Sequence, residues 1–288
     1  MVLPQLILEG IMIGAVYALA ASGLTIVLGV MKVLNLAHGE LMMLAMYTTY
    51  FLYSAMGVDP FLSILITMPL LFVFGVILHK AAVSRIVEAP PTNQMLVTIG
   101  LLIFLQNLAA FLWTPDFKSL VGYKASVITV WGLRFTNIRL MAFMTSLAIT
   151  LILYFLLVRT NWGRAIRACS QDSEAARIVG IDVSQLRLTS FGLGAALAGA
   201  AGSLIASLYY VFPTVGFHYI VVAVVVVVLG GMGSVFGALL GGIMLGIVES
   251  LTSFYVAAQL KELGAFAIFI LILLFRPHGL LGKMGRRA

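Results

Sequence analysis

RTNWGRAIRACSQDSEAARIVGIDVSQLR, residues 159–187, is the polar stretch that divides the chain. Its pattern predicts one short, capped helix. Ser170 is placed to serve as N-cap, Asp172 and Glu174 fall in the first turn, Arg177 falls in the last, and Gly180 follows as a C′ residue. Glu174 and Arg177 are spaced i,i+3 and can pair, for about 0.2–0.5 kcal/mol. On local pattern alone, an ordinary basic loop is the plain alternative. What surrounds the stretch decides the fold, because on both sides the sequence is apolar over lengths that span a lipid bilayer.

The 288 residues are 62% hydrophobic and 9% charged. A soluble domain of this length cannot keep that much apolar surface from water, and runs of about 18 or more apolar residues recur. A membrane span satisfies its backbone internally, as a helix or as a strand of a closed barrel. Barrel strands alternate polar and apolar over about 10 residues. These runs are continuously apolar and rich in Gly, Ala and Leu, which predicts an all-α, polytopic helical bundle. The net charge of +7 lies between the apolar runs, so it reads as membrane topology and not as a nucleic-acid surface. The single cysteine, Cys169, excludes an intramolecular disulfide and a cysteine-cluster metal site, and reads as a reduced thiol. No cleavable leader is expected. The first residues carry no Lys or Arg, and Ala18-Leu19-Ala20 lies inside a spanning stretch.

In chain order, residues 6–30 form a first span with Gly10 and Gly14 in a GxxxG pair. A polar island follows at 31–40, then an apolar run at 41–56 and a turn at 57–60. Further spans are expected at 61–82, 95–113 and 139–158. The connector Glu88-Ala89-Pro90-Pro91 precedes the second of these, with Thr92 or Asn93 as its cap. Residues 114–137, with Lys118, Lys124, Trp131 and Arg134, read as an interfacial or extramembrane loop. Residues 188–209 are dense in small residues and belong at the bundle centre. A valine-rich run at 219–229 breaks at Gly230-Gly231-Met232-Gly233-Ser234 and resumes to about 250, which has the form of a discontinuous helix pair. A short last span at 263–275 leads through Arg276-Pro277-His278-Gly279 to a basic tail with Lys283, Arg286 and Arg287.

The arginines of 159–187 and the basic tail place both segments in the cytoplasm. Counting back puts the N-terminus outside and gives about eight to nine transmembrane helices, some broken or re-entrant, in one domain. The four positive residues of 114–139 fall on the outer side and run mildly against the rule. No G-x-x-x-x-G-K-[ST], H-E-x-x-H or G-x-S-x-G is present. With small-residue faces, a broken helix and no catalytic set, transport is favoured over enzyme chemistry. A stand-alone secondary transporter or channel is the competing class.

Asn35-Leu36-Ala37-His38-Gly39, Glu88-Ala89-Pro90-Pro91, Glu174-Ala175-Ala176 with Gly180, and Leu229-Gly230-Gly231-Met232-Gly233-Ser234 occur in this order over essentially the whole chain. Together they resemble the branched-chain amino acid permeases of the LivH type, the membrane subunits of bacterial ABC importers. The Leu-Pro found in other importer classes is missing after Arg187, as fits the separate branched-chain and ribose permease group. The resemblance implies a multi-pass protein of the bacterial inner membrane and a heterodimer with a second, homologous permease. It also implies two cytoplasmic ATP-binding subunits and a periplasmic substrate-binding protein that delivers leucine, isoleucine or valine. ATP and Mg would be held by the partner ATPases, and no cofactor by this chain. Permeases for urea, short amides or other small solutes belong to the same group and remain the alternative.

The resemblance makes 170–180 a coupling helix, with Arg164, Arg167, Ser170, Asp172, Glu174, Ala175, Ala176, Arg177 and Gly180 as its ATPase-coupling residues. Ala168, Ala175, Ala176 and Val179 form its small packing face, and the plain alternative for Glu174 is that it only stabilises the helix start. For the translocation pathway the candidates are Asn35, His38, Gly230, Gly231 and Gly233, and after them Gln106, Asn107 and Glu249. The alternatives are that Asn35 and His38 only cap a helix at the inner surface, that the glycines only pack and bend, and that Gln106, Asn107 and Glu249 only bond between helices.

Overall fold

The computed structural model describes residues 2–120, 123, 126–130, 132–276 and 279–281. Eleven α-helices and one hairpin follow one another: α1 (Val2–Met31), α2 (His38–Met56), α3 (Pro60–Ala81), α4 (Pro91–Trp113), β1 (Val127–Val130), β2 (Leu133–Thr136), α5 (Asn137–Arg159), α6 (Asn161–Gln171), α7 (Ser173–Ile178), α8 (Val183–Ala206), α9 (Val215–Gly230), α10 (Val235–Tyr255) and α11 (Lys261–Phe275). Lys124, Trp131, Pro277, His278, Lys283, Arg286 and Arg287 lie outside the described residues. Among the described residues, seven helical segments are long and apolar enough to cross a membrane. The shorter α9 (16 residues) and α2 complete the apolar elements expected from the sequence.

Small residues decide what is central. The apolar windows of α1 and α8 are 83% buried, against 22% for α4 and α5 and 6% for the segment ending in α11. α1 lies antiparallel on α10 through Gly10, Gly14, Gly242 and Gly246. A Cβ at Gly246 would come within 2.2 Å of the Gly10 carbonyl, so only hydrogen permits this approach. α8 presents its Gly and Ala surface to α1, α2 and α3 at once. Hydroxyls join these helices where apolar packing alone is weak in lipid. Thr49 donates to Ser203 at 2.9 Å, Ser63 donates to Thr49 at 3.2 Å, and Thr67 and Ser203 are 2.7 Å apart.

The segment between α4 and α5 contains an antiparallel hairpin, Val127 opposite Thr136 and Val130 opposite Leu133. It is fastened to the start of α1. The Arg134 N–H donates to Gln5 Oε1 at 2.9 Å, and Arg139 pairs with Glu9 at 2.9 Å. One expected cap differs from the structure here. The start of α4 is capped by neither Thr92 nor Asn93: Pro90 holds the N-cap position and Pro91 is the first helical residue, a site where a missing N–H costs nothing. The Gln94 amide instead closes the connector, donating to the Val87 and Ala89 carbonyls at 3.0 and 2.9 Å.

Candidate functional site

Two regions carry the functional groups, one inside the bundle and one at its polar end. The first is the island between α1 and α2. α1 ends at Met31, and the chain does not stay at that end. Residues 32–37 run back along the bundle until His38 Nε2 donates to the Ala20 carbonyl at 3.1 Å. Ala20 lies eleven residues before Met31, about 16 Å along α1, and the His38 side chain reaches it, so α2 starts inside the molecule. The island is re-entrant, and the expectation that it sits near the inner face is corrected. The segment bends at Lys32, with φ 55°, and closes a turn in which the His38 N–H donates to the Asn35 carbonyl at 3.2 Å. Non-helical backbone at this depth is tolerated only where protein surrounds it. Asn35, His38 and Glu40 are each 1% exposed or less. Asn35 Oδ1 accepts from the Ala37 N–H at 3.2 Å, and Thr98 of α4 donates to the Leu34 carbonyl at 3.3 Å.

Glu40 sits in the first turn of α2, where a carboxylate meets the positive end of the helix. Its Oε1 accepts from Gln106 of α4 at 2.9 Å. Its other side faces Gly216 at the start of α9, where a Cβ would approach the carboxylate to 2.5 Å. Asn35 Nδ2, His38 Nδ1 and Glu40 Oε2 are buried with no hydrogen-bond partner among the described residues. Each such group costs about 1–3 kcal/mol. Three of them on one short segment at membrane depth mark a place built to meet something polar. Gln106 thus joins Asn35 and His38. Asn107 does not: its amide donates to the Ile103 carbonyl of its own helix at 2.8 Å.

Gly230, Gly231 and Gly233 lie elsewhere. They form the turn between α9 and α10, with φ of 96° at Gly231 and 84° at Gly233, and Ser234 caps α10 through the Gly237 N–H at 3.0 Å. Gly233 lies beside Gly29 near the end of α1, and a cavity shared with Arg167 and Ser170 joins this turn to α6. The helix break is therefore a turn at the polar end of the bundle, at the level of the 159–187 loop.

That loop is the second region, and it holds two helices where one is expected. Thr160 caps α6, accepting from the Gly163 N–H at 3.1 Å, and α6 then runs through Ser170 to Gln171. Ser170 donates to the Arg167 carbonyl at 2.8 Å and caps nothing. Asp172 ends α6 and caps α7, accepting at Oδ1 from the Glu174 and Ala175 N–H groups at 2.8 and 3.0 Å. Its extended backbone, φ −149° and ψ 111°, is the conformation an N-cap needs. The Ala175 and Glu174 N–H groups hold its carboxyl below the usual carboxylate range. Gly180 ends the unit as expected, at φ +86°. Its N–H donates to the Arg177 carbonyl and that of Ile181 to the Ala176 carbonyl, both at 3.0 Å, the paired bonds of a Schellman motif.

Arg177 does not pair with Glu174. It reaches Glu88 in the α3–α4 connector at 3.3 Å, and Arg187 reaches the same oxygen at 3.4 Å. Hydrogen bonds from Arg177 and then Arg187 hold the Glu88 carboxyl below its usual range. Ala176 is buried and Ala175 exposed, so the expected small face is not one surface. What α7 presents outward is Ile178 and Val179, 86% and 75% exposed. Arg164 and Arg167 are exposed on α6 beside it. Glu88 and Ile178 were not among the expected coupling residues. The bulky apolar pair between Arg177 and Gly180 was the available signal for Ile178, and nothing local links Glu88 to arginines 89 and 99 positions away. Cys169 is a free thiol, buried where α6 lies against the end of α1, with Sγ 3.9 Å from the Val30 carbonyl.

A family model described as "Branched-chain amino acid transport system / permease component" matches residues 6–275. The chain belongs to this permease family. It is 32% identical to the high-affinity branched-chain amino acid transport system permease protein LivH of Escherichia coli K12, with 97% of this chain and 95% of that protein aligned. It is 32% identical to BraD of Pseudomonas aeruginosa over the same shares. A segment covering 43% of this chain is 35% identical to LivM of Escherichia coli, over 29% of LivM. Among solved structures, a chain of "PsaBC from Streptococcus pneumoniae in complex with Fab" shares the fold at a TM-score of 0.52 and 12% identity, covering 94% of this chain and 91% of that one. The permease family, with seven segments among the described residues long and apolar enough to cross a membrane, makes the chain a multi-pass membrane transport subunit.

Proposed function

We propose that the chain is the membrane-spanning subunit of an ABC importer for the branched-chain amino acids leucine, isoleucine and valine, in the cell's inner membrane. The family match over residues 6–275 carries this reading. A second, related permease completes the membrane pair, two separate ATPases bind ATP and Mg, and a periplasmic binding protein delivers the substrate. α7 supports the ATPase contact. It is a short helix fixed at both ends, with Ile178 and Val179 uncovered and arginines around them, a shape suited to an apolar groove with an acidic rim. The buried segment Asn35–Glu40 with Gln106 supports a polar step in the translocation path, where a zwitterion sheds water against amides and a carboxylate.

Uptake of labelled solutes by the host with and without this chain tests the substrate. Loss of leucine, isoleucine and valine uptake, with urea and acetamide uptake unchanged, is expected. The reverse pattern assigns the chain to the urea and amide permeases.

A further inference from the structure

Glu249 is unexplained by either region above. It lies on α10, 5% exposed, inside a membrane helix. Its Oε2 accepts from the Tyr17 hydroxyl at 3.0 Å, and its Oε1 is buried with no partner among the described residues. Ionisable groups at this depth are costly and mark sites that meet a counter-charge. Glu249 also forms a wall of two different cavities. One, of about 330 Å3, opens among Glu9, Tyr17, Arg139, Tyr209 and Lys261 at the end away from α7. The other, of about 360 Å3, lies between α9, α10 and α11 and is lined by Val222, Val225, Leu245, Ala265 and Phe266. Both volumes fall in the range of small-molecule sites. Arg139 is taken up by Glu9, and His218 by Glu262 at 3.2 Å, whereas Lys261 makes no ion pair among the described residues.

The geometry points to a binding site at Glu249 for a primary ammonium that carries a compact aliphatic body, the form of a leucine-like zwitterion. The ammonium bonds Glu249 Oε1, the aliphatic part fills the cavity between α9, α10 and α11, and the carboxylate meets Lys261. The ligand class rests on the amino acid reading above, and the position is new to it. The site also adjoins the buried polar segment. Tyr17 precedes Ala20, the partner of His38, by three residues, about 4.5 Å along α1. Tyr219, which shares a further cavity with Tyr17 and Lys261, is one turn from Gly216 at Glu40. A solute at Glu249 stands one step outward of Glu40.

Equilibrium binding of labelled leucine to the purified complex, without binding protein, tests the site, with ATP-driven leucine uptake measured on the same preparation. Leucine is expected to bind and to be displaced by 3-methylbutylamine and not by 4-methylpentanoate. Glu249→Gln is expected to weaken leucine at least tenfold and Lys261→Ala to weaken leucine and spare the amine. Ala265→Phe, which fills the apolar cavity without touching the carboxylate, is expected to abolish binding while assembly persists, and it serves if Glu249→Gln fails to assemble. Wild-type affinity in Glu249→Gln or Ala265→Phe, or no leucine binding by a complex that transports leucine, overturns the site and leaves the substrate reading standing. Binding with these properties in a complex that does not transport branched-chain amino acids upholds the site and overturns that reading.

Discussion

Gly39 and Gly216 meet where α2 and α9 both begin, and a Cβ on Gly39 would fall 2.0 Å from the Gly216 carbonyl. The obstacle is backbone, so no rotamer change relieves it. Gly39→Val is expected to destabilise the bundle by about 1–3 kcal/mol, as overpacking does, and to lower the thermal midpoint of the purified protein. A nearby pair separates two kinds of cost. Gln106→Leu strips Glu40 of its one side-chain donor among the described residues while the carboxylate stays buried, which costs about 1–3 kcal/mol or more. Adding Glu40→Leu removes the orphaned group and is expected to return most of that loss. A double-mutant cycle on thermal midpoints checks it, and additive losses would mean that the two residues do not interact.

At the scale of elements, α7 depends on one cap. Asp172→Ala is expected to fray the loop and speed tryptic cleavage at Arg177 and Arg187 several-fold, while Asp172→Asn, which still accepts from the Glu174 and Ala175 N–H groups, keeps cleavage near the wild-type rate. Competition between caps explains why Ser170, the expected N-cap, is not the one used. Thr160 starts a helix earlier than the apolar pattern suggests, that helix absorbs Ser170, and Asp172 is the first residue after it with an extended backbone. The spans were plain because lipid demands long, continuous apolar runs. The depth of the 32–37 segment was not. A short polar island reads the same at a surface as inside a bundle, and its placement is set by contacts to Ala20, Thr98 and Gly216 that are remote in sequence. Nor does sequence show which side of a turn lines a path. The Gly230–Gly233 break looked like an intramembrane gap and proved to be a turn at the polar end.

For the whole molecule, α1 and α8 form the core, and α4, buried along the stripe Thr98, Leu102, Leu105 and Ala109, packs beside α2 and the segment that precedes it. The same helix begins at the connector whose Glu88 holds Arg177 and Arg187, and its Gln106 holds Glu40. One helix thereby connects the α7 end to the buried carboxylate. The orientation carries its own check. In a Cys169→Ser background, single cysteines at Glu174 and Ser126 are expected to react with an impermeant thiol reagent from opposite faces, Glu174 from the cytoplasm. The central claim is that motion enters this bundle from an ATPase seated on Ile178 and Val179. ATP-driven accumulation of labelled leucine in vesicles holding the assembled complex tests it most directly, with Ile178→Asp beside the wild type. Accumulation that requires ATP, lost together with the co-purifying ATPase in Ile178→Asp, is the result predicted here. Leucine uptake that proceeds without ATP, or that Ile178→Asp leaves untouched, would contradict it.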